Sequence, residues 1–424
     1  MHARILIVGG GVMGTALALR AAQRTDPLKE PVVLCERREL GAGSTGASGA
    51  ILRQFYADRL LSLMARDSLR EYARFETLTA RAIGFHASGI LTLAGPEQVE
   101  WHERIDRISA DLSGHGVEIR AIGAQEIRRC IPGIVVRDGS RGAWEPTAGF
   151  VDPRRTVEAF AALARTYGAI TRLGTEVEEL LIEGGRAVGA RTSDGEVEAR
   201  RVVVMNGPWA KRLLARSGIE LPLRVVVPEN AFFALPESRD EPAGPTPTTA
   251  TIPFGLLDRT EVGEHATSRR GTHPVLIDLE AGFYVRCEPA QDRVRVGRID
   301  YDDDLTLEDP DDKPDTVREG LRDWAREKLA GRLPEHAARA DAGALTSWYT
   351  LAPDAQPLIG PIPGVEGLFV AAGFSGHGFK LAPSVAEGVT QMLFDEPVTA
   401  FEPDFFAPAR FASGVRGWSG RFGF

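Results

Sequence analysis

The stretch Arg4-Ile5-Leu6-Ile7-Val8-Gly9-Gly10-Gly11-Val12-Met13-Gly14 decides the fold. A short apolar run of β type enters Gly9-x-Gly11-x-x-Gly14. An Ala/Leu-rich stretch at helical spacing follows from Ala16 to Arg24, and a second apolar run, Val32 to Cys35, ends at Glu36. This is the βαβ pattern that binds a dinucleotide. Gly9 makes the tight turn, Gly11 lets backbone approach a pyrophosphate, and Gly14 lets helix and strand pack closely. Val12 and Met13, between the glycines, belong with the cofactor-binding turn, and the N-terminus of the helix that follows supplies amides and positive partial charge for a diphosphate. An acid after the second strand accepts hydrogen bonds from a ribose, so Glu36 favours FAD or NAD over a 2′-phosphorylated nucleotide. Arg37 and Arg38 follow it, read either as partners of a phosphate or as solvated arginines at a strand end.

The chain has 424 residues, enough for two domains. Its 43% hydrophobic and 26% charged content is that of an ordinary globular enzyme. A net charge of −9 with scattered arginines argues against nucleic acid as a partner. Cys35, Cys130 and Cys287 form neither a CxxC nor a metal-ligand spacing, which fits reduced thiols. The first strand starts at residue 4, leaving no room for a signal peptide, and no apolar run reaches spanning length. A soluble, cytoplasmic protein is expected.

Beyond Glu36, the small-residue stretch Gly41 to Ala50 runs into Ile51-Leu52-Arg53-Gln54-Phe55. It reads as a flexible linker by composition, yet it lies where the second strand delivers its C-terminal end, the ligand-binding edge of such sheets. Helical spacing runs from Leu60 to about Ile83, from Pro96 to Leu112 and from Ala124 to Cys130, with a strand at Gly89 to Ala94. Pro153 suits the first turn of a helix to Tyr167. Strands follow at Val177 to Ile182, Ala187 to Thr192 and Val197 to Met205, the last breaking at Asn206-Gly207-Pro208-Trp209. From Leu221 to about Ala340 the character shifts. A Pro/Thr-rich surface loop spans Pro236 to Pro253, and period-two strands occupy Pro274 to Asp278, Phe283 to Cys287 and Val294 to Gly297. Acidic runs at Asp302 to Asp304 and Glu308 to Asp312 read as solvated loops, and a helix is expected from Asp315 to Leu329. The strand Gly367 to Gly373 leads through Phe374-Ser375-Gly376-His377-Gly378-Phe379-Lys380 into a helix ending near Phe394.

Together these pieces resemble the FAD-dependent D-amino-acid oxidase superfamily, most closely its sarcosine oxidase/glycine oxidase-like branch. The resemblance rests on the glycine motif with Glu36, the Ser44-Thr45-x-x-Ser48-Gly49 loop with Arg53, Gly149 to Pro153, and Val202 to Trp209. It continues with Tyr349-Thr350-x-x-Pro353-Asp354-x-x-Pro357-Leu358-Ile359-Gly360 and closes with Gly373 to Lys380. It implies an α/β chain of two domains: a Rossmann-type FAD-binding domain interleaved with a mostly antiparallel β-sheet substrate domain. Residues 1–84, 150–220 and 341–400 would form the first, residues 85–149 and 221–340 the second, and 401–424 a Phe-rich tail. It also implies oxidation of a C–N bond in an amino acid or N-alkyl amino acid, with O2 or another electron acceptor. The oligomeric state stays open.

Carried over residue by residue, Arg53 and Lys380 would hold a substrate carboxylate, and Tyr284 would line the pocket or pack on its neighbours. His377 would act as a base or, more in keeping with the branch, as a positioning residue beside the flavin. Ser44, Thr45, Ser48, Gly49, Val177, Asn206, Gly207, Trp209, Gly373, Phe374, Gly376, Gly378 and Phe379 complete the cofactor set. Arg295 stands where oxidases of the branch carry a lysine used to activate O2, so a dehydrogenase or a purely structural arginine enters the reading. Ser347 replaces a flavin-attaching cysteine, and Ser44 to Arg53 holds no histidine, so FAD is expected to be noncovalent. Two alternatives remain: C–O oxidation of a 2-hydroxy acid on the same fold, and a non-catalytic flavin-binding assembly factor.

Overall fold

A computed structural model describes residues 2–236, 272–301, 304–415, 417 and 418. The expected loop beyond residue 236, Asp302 and Asp303, and the tail at 416 and 419–424 lie outside the described residues.

The apolar runs that open the chain form the middle of the first sheet. Its strands lie in the order Leu358–Pro361, Leu368–Ala372, Gly195–Val204, His2–Val8, Val32–Glu36, Ile170–Leu173. All but the first pair run parallel, with Ile5 beside Val32 and Arg201. A hairpin of Val177–Glu183 and Arg186–Thr192 extends it through Gly195–Val204. Ile5, Leu6 and Ile7 are fully buried, as expected of a parallel strand covered on both faces. On one face the Val12–Ala22 helix packs between Pro153–Thr166 and Gly378–Leu393, and Arg59–Thr79 covers the last of these. Pro153 occupies the first turn as expected, where Asp152 caps the helix by accepting from the Arg154 and Arg155 amides.

The second sheet is mostly antiparallel, in the order Asp341–Thr346, Glu229–Ala234, Arg293–Arg298, Phe283–Glu288, Val275–Asp278, Ile90–Ala94, Arg141–Glu145, Arg120–Gly123. Val275–Asp278 and Ile90–Ala94 pair in parallel, joining two segments distant in sequence. Asp341–Thr346 is an edge strand of this sheet, so the expected domain boundary at 341 falls one strand too early. A three-stranded sheet of Leu305–Leu307, Arg224–Val227 and Tyr349–Leu351 completes the set of described sheets.

Local geometry corrects several expected boundaries. The first helix begins at Val12, directly after the glycine turn, rather than at Ala16. The second stops at Thr79 rather than Ile83, because Ala80 turns left-handed at φ +56°. The helix expected from Asp315 starts at Leu321, after Gly320 at φ +79°. Strands Arg141–Glu145, Arg224–Val227 and Glu229–Ala234 were not anticipated; too few residues alternate there to separate them from loop.

Candidate functional site

Where the first strand ends, two glycines let three pieces of backbone converge. A Cβ on Gly9 would stand 2.7 Å from Asn206 Cα, and one on Gly14 only 1.9 Å from the Gly9 carbonyl oxygen. Gly9 also sits at φ +109°, which only glycine adopts readily. Both motif positions therefore need glycine for the physical reasons read from the pattern. Glu36 is oriented by backbone: its carboxylate accepts from Gly10 N at 2.7 Å and Arg38 N at 2.9 Å. Thr45 Oγ1 accepts from Val12 N at 3.1 Å, tying the small-residue loop to the helix N-terminus. That loop is a built wall and not a linker, with Gly46 N donating to Gly41 O at 2.8 Å.

These elements enclose a cleft of about 1240 Å³. Gly9, Gly11, Val12, Met13, Glu36, Arg37, Ser44, Thr45, Ser48, Val177, Asn206, Gly207, Trp209, Gly373, Phe374, Gly376, Gly378 and Phe379 all line it. Asn206 Oδ1 is buried there with no hydrogen-bond partner. Arg37 stacks over the Trp209 ring at 4.5 Å and binds Asp311 at 2.6 Å, and Trp209 Nε1 also donates to Asp311 at 2.9 Å. Those donors hold the Asp311 carboxyl well below the usual carboxylate range. Arg37 thus lines the cleft, partly exposed, with its charge met by Asp311.

Asp309 binds Arg212 at 2.7 Å, and Trp348 Nε1 donates to Pro310 O at 2.8 Å, so the second acidic run is anchored to the fold while Glu308, Asp311 and Asp312 stay exposed, as expected of a solvated loop. In the first run the Asp304 side chain departs from that expectation: it is buried, 3.4 Å from Arg318, and burial pushes its carboxyl up to about 7. Trp348, Tyr349 and Thr350 also line the cleft. Trp348 went unremarked as a site residue, and the aromatic pair after Ser347 is the signal that marks it.

A second chamber of about 570 Å³ adjoins the first, with Ser48, Tyr349, Gly376 and Phe379 as shared walls. Here Arg53, Lys380, Tyr284 and Gly49 come together. Arg53 is buried, donates to Phe55 O at 3.1 Å and lies 4.2 Å over the Tyr56 ring. Lys380 is buried too; desolvation, then the Arg53 charge, drives its ammonium well below the ordinary lysine range. Tyr284 faces the chamber and donates to Asn230 Oδ1 at 3.0 Å, so both readings of it, pocket wall and packed strand residue, describe the same side chain.

Two expected site residues sit elsewhere. Arg295 lines neither chamber: it donates to Glu288 at 2.7 Å, Asn230 at 2.7 Å and Ala47 O at 2.8 Å. With Arg286, which donates to Gly49 O, it braces the loop from behind. His377 is fully buried with its ring edge-on to Tyr56 at 5.3 Å. Burial, with Lys380 and Arg53 nearby, keeps it well below its ordinary range, so the ring stays neutral.

Sequence reasoning missed Glu145, which lies in an unanticipated strand and has no motif. Fully buried, its carboxylate accepts from Gln54 N at 2.6 Å, Gln54 Nε2 at 3.3 Å and Phe55 N at 3.4 Å. Desolvation pushes it up to about 7. It sets the path of the segment that carries Arg53.

A model of the DAO family, described as FAD dependent oxidoreductase, matches residues 4–392. Mitochondrial dimethylglycine dehydrogenase of Mus musculus is 27% identical over 93% of this chain, which spans only 43% of that relative. Peroxisomal sarcosine oxidase of Homo sapiens is 24% identical, over 90% of each chain. The crystal structure of L-proline dehydrogenase from P. horikoshii superposes with a TM-score of 0.82 at 23% identity, covering 98% of this chain and 99% of that one. It shares the fold. No helix among the described residues is long and apolar enough to cross a membrane. Since the family model spans residues 4–392, and the glycine turn, Glu36 and the two-chamber cleft all lie within it, the chain belongs to the DAO family of FAD-dependent oxidoreductases.

Proposed function

We propose that the chain oxidises the C–N bond of an amino acid or N-alkyl amino acid. The observation that carries this is the pairing of Arg53 and Lys380 in a small chamber walled by Ile51, Ile277 and Ile299, next to the glycine-lined cleft. The first chamber fits FAD: bare glycine backbone at the helix N-terminus, Glu36 held for a ribose, and the unmet Asn206 Oδ1 each suit one part of it. The only cysteine among the described lining residues is Cys35, whose buried thiol is pushed up to about 11, and no histidine lines it, which supports noncovalent binding.

When bound, the flavin accepts a hydride from the carbon next to nitrogen. The protein's own part is positioning. Arg53 and Lys380 clamp the carboxylate, Arg53 through the planar fork that suits two oxygens. The anion draws a proton onto Lys380 as it binds, because the ammonium is favoured once a negative charge faces it. Tyr284 and the isoleucines hold the amine end in a dry, fixed pose, and such orientation supplies much of the rate. The substrate amine is neutral when its neighbouring C–H reacts, and water then hydrolyses the imine to a carbonyl compound and an amine or ammonia. Arg295 is engaged behind the loop and offers no free cation to O2, which favours a dehydrogenase over an oxidase.

The test is the visible spectrum of the anaerobic protein on adding glycine, N-methyl amino acids, and L- and D-cyclic amino acids, each beside its 2-hydroxy analogue. Bleaching by amines and not by hydroxy acids is expected, with slow recolouring in air. Bleaching by hydroxy acids alone, or by nothing, overturns the proposal. Fast recolouring overturns the dehydrogenase reading and leaves C–N oxidation standing.

A further inference from the structure

On the far side of the second sheet, away from the cleft, three ligating side chains meet in the core. His273 stands two residues before the first residue of the strand Val275–Asp278, Cys287 lies in Phe283–Glu288, and His336 in the short helix Pro334–Ala337. Successive side chains of a strand face opposite ways, so Cys287 points away from the face that carries Tyr284 and Arg286. It is packed with Val285 and Leu333. Each of the three is at most 6% exposed, and their ligand atoms all lie within 4.8 Å of one another.

We propose that His273, Cys287 and His336 form a binding site for one zinc(II) ion. The His273 geometry argues for it most strongly. Its Nδ1 lies 2.6 Å from the Pro274 carbonyl oxygen, which can only accept, so Nδ1 holds the hydrogen and Nε2 presents a lone pair. That Nε2 is buried and has no hydrogen-bond partner. A histidine whose outer nitrogen donates to a backbone carbonyl is oriented as metal ligands usually are. The Cys287 sulfur accepts from His273 N at 3.4 Å, which fixes the sulfur beside the His273 ring. The two imidazoles meet edge to face with centroids 4.8 Å apart, close enough to share an ion without packing flat on each other. Two imidazoles and a thiolate suit zinc better than hard cations. Spacing along the chain could not reveal the set, because its members are separated by 14 and 49 residues.

In this place the metal does no chemistry on the substrate. It joins the strand that carries Tyr284 to the segment before Val275 and to Pro334–Ala337, and the bond from zinc to the Cys287 sulfur replaces the thiol hydrogen, which leaves as a proton. The experiment uses the flavin-loaded protein grown with zinc, passed over a chelating resin and measured for zinc by mass spectrometry. About one zinc per chain is expected to remain, as is common for sites built into a fold. Cys287→Ala and His336→Asn should each weaken retention by at least roughly the 10–100-fold that loss of an outer hydrogen-bond partner costs. Their flavin spectra and turnover should be unchanged. Should a variant not fold, the wild-type protein is stripped with chelator and its melting temperature followed on adding zinc alone, where a rise is expected. Absence of zinc and of any rise in the wild type, or equal retention by folded variants, overturns the assignment.

Discussion

Replacing Glu145 with glutamine tests how the chamber that Arg53 lines is held. The carboxylate is fully buried, accepts three N–H groups from Gln54 and Phe55, and is pushed from the ordinary 4.5 up to about 7. The sign follows from proton counting. Between pH 4.5 and 7 the folded protein keeps a proton that the unfolded chain has released, so this group's contribution falls as pH rises and levels off above about 7. At about 1.4 kcal/mol per unit, the raised value amounts to about 3 kcal/mol across that window. The E145Q variant is neutral at every pH and loses this dependence. Asp304 is also raised to about 7, but it is common to both proteins and cancels in the difference. For 424 residues the unfolding entropy is about 0.9 kcal/mol/K, so 3 kcal/mol corresponds to about 3–4 °C. Melting temperatures of both proteins from pH 4.5 to 8 should therefore shift by that amount in favour of E145Q as pH rises. Parallel profiles would refute the reasoning and show that Glu145 ionises normally, its burial offset by Arg53.

Arg53→Met should leave flavin bound while weakening a simple carboxylate by roughly 30–150-fold, the worth of a charged hydrogen bond of about 2–3 kcal/mol; loss of flavin instead would move Arg53 to the cofactor. Because Lys380 is held well below its ordinary range, carboxylate binding should draw protons onto it and weaken as pH rises. Calorimetry in buffers of different ionisation heat reads that uptake, and no uptake at any pH would contradict the lowered Lys380. Gly14→Ala places a methyl 1.9 Å from the Gly9 oxygen and should cost about 1–3 kcal/mol and lower flavin content. Full flavin with an unchanged melting temperature would deny the close helix–strand packing.

The amino-acid sequence alone determined the Rossmann-type start of the chain and its cleft. Gly9, Gly11, Gly14 and Glu36 act through backbone within one βαβ unit, so short-range spacing carries their meaning. Arg53 and Lys380 were likewise legible, through motifs that adjoin the same strand ends. What only the tertiary structure decided depends on distant partners. Arg295 looked like a chemical residue until its contacts with Glu288, Ala47 and Asn230 placed it behind the loop. The acidic segment near Asp311 is exposed, as its composition suggests, but only the fold brings Arg37 and Trp209 to Asp311. Glu145 and the His273, Cys287 and His336 cluster left no trace in local pattern. A buried polar group is defined by neighbours that pairing of remote strands brings to it, as when Val275–Asp278 aligns beside Ile90–Ala94. Periodicity reports which face of an element is apolar; it does not report what that face meets.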